Sequence, residues 1–152
     1  MTASTTTAAI DQRYWDDVNE GDLLPGFDLH LSETRIAQQV SGSQDFYPVH
    51  HDREFARAGG HADIFVNTGF TRAALSRLLT DFAGVEGWVR RLHYEMRRMN
   101  RPGDTMRLRG KVTRKYVTDD GAHCLDLDIW SENDREGITT PGNATVMLPA
   151  RG

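Results

Sequence analysis

The chain has 152 residues, of which 38% are hydrophobic and 26% charged, and a formal net charge of −4 at pH 7. This length predicts one domain with a substantial buried core, and the charge balance gives no reason to expect nucleic-acid or membrane binding. Cys124 is the only cysteine, which excludes an internal disulfide framework. No cysteine and histidine residues have the spacing of a zinc site, so no metal is expected.

The N-terminal segment MTASTTTAAI has neither a basic stretch nor an apolar run, so we expect no signal peptide. No apolar run in the chain reaches the roughly 18 residues that span a bilayer. The sequence therefore predicts a disordered tail over residues 1–12, a folded domain over 13–150 and a cytoplasmic location.

The first predicted elements are a short strand and two short helices. Apolar and polar residues alternate over 27–31, which predicts a strand. Ser32 is a suitable N-cap for a helix that runs to about Val40 and is ended by the Ser-Gly-Ser sequence that follows. One or two further helical turns are expected over 52–58.

A longer helix is predicted within residues 63–84. Its apolar residues cover most of the helix circumference, which is typical of a buried helix, and Gly84 is expected to end it. Asn67 is a candidate N-cap within this segment.

The remainder of the chain is strand-like. In the first segment, 88–99, we expect Trp88, Leu92, Tyr94 and Met96 to share one face. Turn sequences, beginning with RPGD at 101–104, separate three further segments, which cover 105–117, 122–132 and 138–149. Long strands with short connections and one buried helix predict an α+β domain in which an antiparallel sheet surrounds the helix.

The stretch QDFYPVHHD places Asp45 five positions before His50, with Pro48 between them. On a continuous helix two such residues point about 140° apart, and proline also disfavours a helix here. In a bent loop the two side chains can converge on one small site. The alternative is that Asp45 caps a helix and His50 is a surface or packing residue.

These elements, in this order, resemble the hotdog fold, in which an antiparallel sheet is wrapped around a long central helix. The sequence DFYPVH at 45–50 resembles the D-x-N-P-(L/I/V)-H active-site motif of the MaoC-like (R)-specific enoyl-thioester hydratases and dehydratases. RPGDT at 101–105 resembles the turn that follows the helix in that family. The resemblance covers about residues 15–148.

A narrower resemblance is carried by QDFYPVHHDREFARAGGHADIFVNTGF together with LLTDFAG. These segments are similar to the small, catalytic subunits of actinobacterial steroid side-chain enoyl-CoA hydratases, which pair with a larger MaoC-like subunit. The chain departs from the broad family motif at Gln44, where glycine is usual, and at Tyr47, where asparagine is usual. It also has Ile-Phe-Val-Asn-Thr at 64–68 in place of the common P-I-x-H-G. These departures alter the pocket wall but remove no catalytic group.

The resemblance implies that Asp45 and His50 activate water and carry a proton. We favour Asp45 as the base and His50 as its orienting partner, although sequence does not separate a coupled pair. It also implies that backbone N–H groups of Thr68 and Gly69, at the start of the central helix, stabilise charge on the thioester oxygen. The alternative for Gly69 is relief of crowding inside the helix.

Other residues have weaker assignments. Tyr47 and Asn67 are expected in the substrate pocket wall, and His51 is expected to face away from His50. In the family reading, Arg97, Arg98 and Arg101 bind the phosphates of CoA, while the alternative is a solvated strand face. Cys124 is expected to be a packed strand residue. No separate cofactor is expected, because CoA is part of the substrate.

The leading hypothesis is therefore an enoyl-CoA hydratase that acts on a bulky or steroid-derived acyl-CoA. A (3R)-hydroxyacyl-ACP dehydratase of fatty-acid elongation is the alternative enzyme, since it performs the same chemistry in reverse. A hotdog thioesterase would leave the DFYPVH loop unexplained. A non-catalytic hotdog subunit would have no need of both Asp45 and His50. One hotdog unit leaves an open sheet edge, so we expect a homodimer or a heteromer with a second MaoC-like hotdog subunit.

Overall fold

The structure, a computed structural model, describes residues 11–152. The predicted tail, residues 1–12, lies almost wholly outside that range. Gln12, at its end, donates a hydrogen bond from its side-chain amide to the Ala83 carbonyl oxygen at 3.0 Å. The helices and strands, in chain order, are β1 (Phe27–His30), α1 (Glu33–Ser43), α2 (Arg53–Ala58), α3 (Thr68–Ala83), β2 (Trp88–Tyr94), β3 (Thr105–Val117), β4 (His123–Asn133) and β5 (Gly137–Met147).

The five strands form one antiparallel sheet in the order β1-β3-β4-β5-β2. One side of α3 packs on this sheet, and the shared core contains fully buried leucines from both, including Leu75, Leu79, Leu108 and Leu125. Strands β1 and β2 are the two edges. The predicted α+β architecture, an antiparallel sheet around a central helix, is confirmed. Within residues 11–152 no helix has the length and apolar character needed to cross a membrane.

The long helix begins later than the apolar pattern suggested. Residues 64–66 are buried but extended, because the Val66 N–H donates to the Asn100 carbonyl oxygen (3.1 Å) instead of joining the helix. Asn67 is the N-cap, as predicted, and its Oδ1 accepts from the Phe70 N–H at 2.8 Å. Gly84, with a φ of 73°, ends the helix.

The apolar pattern is typical of a helix buried all round, but in the isolated chain this helix is buried on one side only. Its sheet-facing side is buried, whereas Arg72, Ala73, Arg77 and Thr80 are exposed on the other side. The apolar positions of this segment therefore cover more of the helix circumference than the isolated chain buries.

Helix α1 is longer than predicted and includes the Ser-Gly-Ser sequence. Ser43 is the last residue of the helix, and its hydroxyl donates to the Gln39 carbonyl oxygen at 2.7 Å. Gln44 then adopts a left-handed conformation, with φ of 55°, and ends it. Ser32 is the N-cap of α1, as predicted. Asp52 is the N-cap of α2, which lies within the predicted range 52–58.

The predicted facing of the β2 segment is right for Leu92 and Tyr94 and wrong for Trp88. A β-bulge between Val89 and Arg91 shifts the alternation, because the extra residue moves the following side chains to the other face. Val89, Leu92 and Tyr94 consequently pack against the core, while Trp88 is 69% exposed. The strand stops at Tyr94, before Met96.

Candidate active site

The loop after α1 bends Asp45 and His50 towards each other. Gln44 reverses the chain at the helix end, and Pro48 opens a single 3-10 turn, Pro48–His50. As a result the His50 Nε2 atom lies 3.5 Å from the Asp45 Oδ2 atom. The convergence that the Asp-to-His spacing suggested is present in the structure.

The contact of the other ring nitrogen of His50, Nδ1, determines which nitrogen of the neutral ring carries the hydrogen. His50 is only 7% exposed, and its Nδ1 lies 2.8 Å from the Phe65 carbonyl oxygen. A carbonyl oxygen can only accept, so Nδ1 carries the hydrogen. In the neutral ring, Nε2 therefore presents a lone pair towards the Asp45 carboxylate. Two acceptors at this separation can share one water molecule that donates to both.

Asn67 connects this pair to the start of α3. It is only 3% exposed, and its Nδ2 donates to Asp45 Oδ2 and to the Ser43 hydroxyl, each at 2.9 Å. The bond from Asn67 is the main reason why the pKa of the Asp45 carboxyl lies below its usual value. Desolvation opposes the shift, and the hydrogen bond from the Tyr47 N–H adds to it. Asp45 is thus held as a carboxylate.

The helix start offers the expected hydrogen-bond donors. Phe70 is capped by Asn67, but within residues 11–152 the N–H groups of Thr68 and Gly69 have no protein acceptor. The three atoms nearest to a methyl group added at Gly69 would all belong to Asn67, with the closest at 3.4 Å. This is an ordinary van der Waals contact, so crowding by neighbouring side chains does not require this glycine.

Gly69 instead lines an open pocket of about 330 Å³ between α1 and α3. A second pocket of about 300 Å³ continues it towards β1, and the two share Phe70 and Ala73. We call the pair the α1–α3 trough; its remaining lining residues are Phe27, Leu29, Arg35, Gln39, Gly42, Ser43, Ala74 and Arg77. The trough runs from the free N–H groups along the exposed side of the helix.

Tyr47 lies outside the trough, on the solvent side of the histidine. It is 59% exposed, and its ring meets His50 and Phe55 edge-on, with centroid distances of 6.5 and 5.6 Å. His51 is exposed, as expected, and Cys124 is buried in β4. No group of three metal-binding side chains occurs in the described part of the chain.

The three arginines assigned to CoA differ from one another. Arg97 pairs with Glu95 at 3.0 Å, and Arg98 lies 3.7 Å from Glu136. The guanidinium of Arg101 has no carboxylate within 4.0 Å among residues 11–152. Arg101 follows Asn100, whose carbonyl oxygen accepts from Val66. It is therefore the one of the three that lies beside the segment leading to Asn67.

Sequence reasoning missed two parts of the site. The Phe65 carbonyl that orients His50 and the Ser43 hydroxyl that binds Asn67 both come from segments without a recognisable motif. Asn67 was expected as a cap and wall residue, but its bond to Asp45 was not foreseen, since 22 residues separate the two.

A comparison with protein-family models gave no match. Among curated proteins, the chain is 33% identical over 93 residues to the 3-oxo-4,17-pregnadiene-20-carboxyl-CoA hydratase beta subunit of Mycobacterium tuberculosis. The matched region is 61% of this chain and 72% of that protein.

Two solved structures have the same fold. The ChsH1-ChsH2 complex from Mycobacterium tuberculosis contains a chain that is 27% identical, with a TM-score of 0.76 over 86% of this chain and 98% of that one. A MaoC-like dehydratase from Rhodospirillum rubrum is 19% identical, with a TM-score of 0.79 over 92% and 99%. The hotdog fold expected from the sequence is confirmed.

Proposed function

This chain belongs to the MaoC-like hotdog family of hydratases and dehydratases, and we propose that it adds water across the α,β double bond of an acyl-CoA thioester. The observation that carries the proposal is the pairing of Asp45 with His50 beside the unpaired N–H groups of Thr68 and Gly69. Hydration needs a water molecule activated next to the β-carbon and hydrogen-bond donors close to the thioester oxygen. Asp45 and His50 supply the first, and the two N–H groups supply the second.

In the proposed reaction, a water molecule lies beside the pair and donates to both the Asp45 carboxylate and the Nε2 atom of His50. Asp45 removes one of its protons as the water oxygen bonds to the β-carbon. The electron pair of the double bond moves towards the thioester oxygen, where the N–H groups of Thr68 and Gly69 and the start of a 16-residue helix stabilise the charge. The proton then returns to the α-carbon, so the net change is the addition of one water.

We further propose a bulky, steroid-derived acyl group. The 33% identical relative is by name a hydratase subunit for a pregnadiene-carboxyl-CoA. The α1–α3 trough supports a large acyl group, because it leads away from Gly69 and is walled by small or apolar residues such as Gly42, Ala73 and Phe70.

The active unit in this proposal contains a second hotdog subunit. Strand β2 is an open edge with an exposed tryptophan at its start, and an unpaired edge favours pairing with another strand. The similar structure from Mycobacterium tuberculosis is the ChsH1-ChsH2 complex, which favours a heteromer over a homodimer. CoA would lie across the subunit boundary, with Arg101 near its phosphates.

The test is hydration of enoyl-CoAs of increasing bulk by the purified chain, alone and co-expressed with MaoC-like partners. Faster turnover of bulky acyl-CoAs than of the matching acyl-ACPs is expected. Preference for acyl-ACP would favour the dehydratase of fatty-acid elongation instead. Activity that appears only with a partner and survives the loss of Asp45 would make this chain a non-catalytic subunit.

A further inference from the structure

The side chain of Gln39 is buried in α1 without a hydrogen-bond partner. The residue is 8% exposed, and neither the nitrogen nor the oxygen of its amide bonds to any group in residues 11–152. Buried amides are nearly always hydrogen-bonded, because an unpaired one loses its hydrogen bonds to water without forming any in the protein. The unpaired amide therefore needs an explanation outside the described chain.

Gln39 is also part of the wall of the α1–α3 trough. It lies one helical turn before Ser43, whose hydroxyl accepts from Asn67, so the two residues are roughly 6 Å apart along the axis of α1. Both polar atoms of the amide are closed to solvent in the unliganded chain. A change of the Gln39 side-chain rotamer would bring a donor or an acceptor to a molecule in the trough.

The neighbouring Gly42 indicates that the trough is kept open. Glycine weakens a helix relative to alanine, yet a methyl group at Gly42 would meet no atom within 4 Å. At Gly69, on the facing helix, a methyl group would lie 3.4 Å from the Asn67 Oδ1 atom, which is an ordinary van der Waals contact. Both glycines line the same pocket as the unpaired amide, and neither is required by its neighbours, which indicates space for a ligand group that the amide binds.

We infer that Gln39 determines acyl-group specificity by hydrogen-bonding an oxygen of the substrate, a hydroxyl or a ketone, several atoms beyond the β-carbon. The inference rests on the proposed function, because it assigns the trough to the acyl group. It narrows the substrate class from bulky acyl-CoAs to oxygenated ones. Gln39 acts in binding and takes no part in proton transfer.

The test compares Gln39→Met, which keeps the length of the side chain without its polar atoms, with Gln38→Met at the exposed neighbouring position. The substrates are trans-2-octenoyl-CoA and its derivatives that carry a single hydroxyl or ketone at each carbon from C5 to C8. For at least one oxygenated derivative, we expect wild type and Gln38→Met to show a kcat/KM about three- to tenfold above that for octenoyl-CoA, the usual contribution of one neutral hydrogen bond. Gln39→Met should lose that preference, so that its kcat/KM for the oxygenated derivative no longer exceeds its kcat/KM for octenoyl-CoA.

Thermal unfolding without ligand is the second readout. If Gln39 is unpaired in the assembled protein, Gln39→Met should unfold at the same or a higher temperature than wild type. A lower unfolding temperature, or loss of the oligomer, would show that the amide binds a protein group and would overturn the inference. So would an equal preference for oxygenated derivatives in wild type and Gln39→Met, or no such preference in wild type.

Binding of the saturated analogues, which cannot be hydrated, separates this inference from the proposed function. Calorimetry with octanoyl-CoA and its oxygenated derivatives should show the same Gln39-dependent preference. That preference without hydration of any enoyl-CoA would refute the activity and retain the specificity role. Hydration without the preference would retain the activity and refute the specificity role. The absence of hydration and of the preference would refute the activity and the specificity role together.

Discussion

The Nε2 atom of His50 and the Oδ2 atom of Asp45 lie 3.5 Å apart, which is longer than a strong hydrogen bond between a charged donor and a carboxylate. Because the other nitrogen of His50 is held by a backbone carbonyl at 2.8 Å, the ring cannot turn to shorten this contact without losing that bond. The separation is suited to a water that both side chains hold. The pair therefore has the geometry of a water-activating site and differs from a closed ion pair.

The hydrogen bond from Asn67 to Asp45 should determine the pH below which activity is lost. Removing the Nδ2 donor removes the main cause of the lowered Asp45 pKa, so this pKa should rise towards its ordinary value. Because the base acts as a carboxylate, activity should then be lost at a higher pH on acidification. Asn67→Ser keeps an oxygen that can cap α3 but is too short to reach Asp45.

The measurement is the pH dependence of kcat/KM for wild type and Asn67→Ser, with the unfolding temperature recorded at each pH. A Ser32→Asn variant, altered at the cap of α1, is the control and should leave the acid limb in place. An unchanged acid limb in Asn67→Ser would show that Asp45 does not limit the rate.

Ala73 should control how large an acyl group the trough accepts. Ala73→Trp fills the point where the two pockets meet, and the position is exposed, so the fold should tolerate it. We expect kcat/KM for bulky enoyl-CoAs to fall about tenfold or more, the scale at which a filled pocket discriminates by size. Crotonyl-CoA should be nearly unaffected. Thr80→Trp, two turns along the same helix, is the matched control, and an equal loss on small and bulky substrates in Ala73→Trp would contradict this role.

Much of the fold could be predicted from the sequence because its signals are local. Ser32, Asp52 and Asn67 cap the predicted helices, and Gly84 ends the longest one. The turn at 101–104 forms around Gly103, whose φ of 89° is one that glycine adopts without strain. Each of these residues determines the conformation of residues next to it in the sequence.

The errors came from tertiary contacts. The bulge in β2 depends on pairing with β5, and the sequence of residues 88–94 does not predict it. Val66 is kept out of the helix by Asn100, which is far away in the sequence. For the site, the motif located Asp45 and His50, whereas Asn67 joins them only because α3 starts beside the loop. Contacts of that kind have no local pattern.

Arg101 should contribute to CoA binding more than Arg97 or Arg98 does, since those two already pair with carboxylates. Arg101→Ala should raise KM for an enoyl-CoA several-fold with little change in kcat, because a phosphate contact is equal in the ground and transition states. Arg97→Ala and Arg98→Ala are the matched controls. With the enoyl N-acetylcysteamine thioester, which has no phosphate, all three variants should match wild type; an equal defect of Arg101→Ala on that substrate would contradict a phosphate contact.

The open edge at β2 should be the assembly surface. Trp88→Asp places a charge at the start of this edge, where 69% of the tryptophan is exposed in the isolated chain, and should dissociate the oligomer because a buried unpaired charge is strongly unfavourable. Val117→Asp alters another exposed apolar residue, at the end of β3, and should leave the assembly intact. Light scattering on the chain with and without a co-expressed partner measures both. Equal assembly of Trp88→Asp and wild type would place the interface elsewhere.

The central claim is that Asp45 and His50 carry the chemistry. Its most direct measurement is the rate of enoyl-CoA hydration, followed by loss of the enoyl-thioester absorbance, for Asp45→Asn, His50→Ala and His51→Ala in the assembly in which wild type is active. Asp45→Asn and His50→Ala should each fall by at least about a hundredfold, the usual scale for loss of a general acid–base group, while His51→Ala, at the exposed neighbouring position, keeps its rate. All three should remain folded by circular dichroism. Near-wild-type turnover in either Asp45→Asn or His50→Ala would contradict the account.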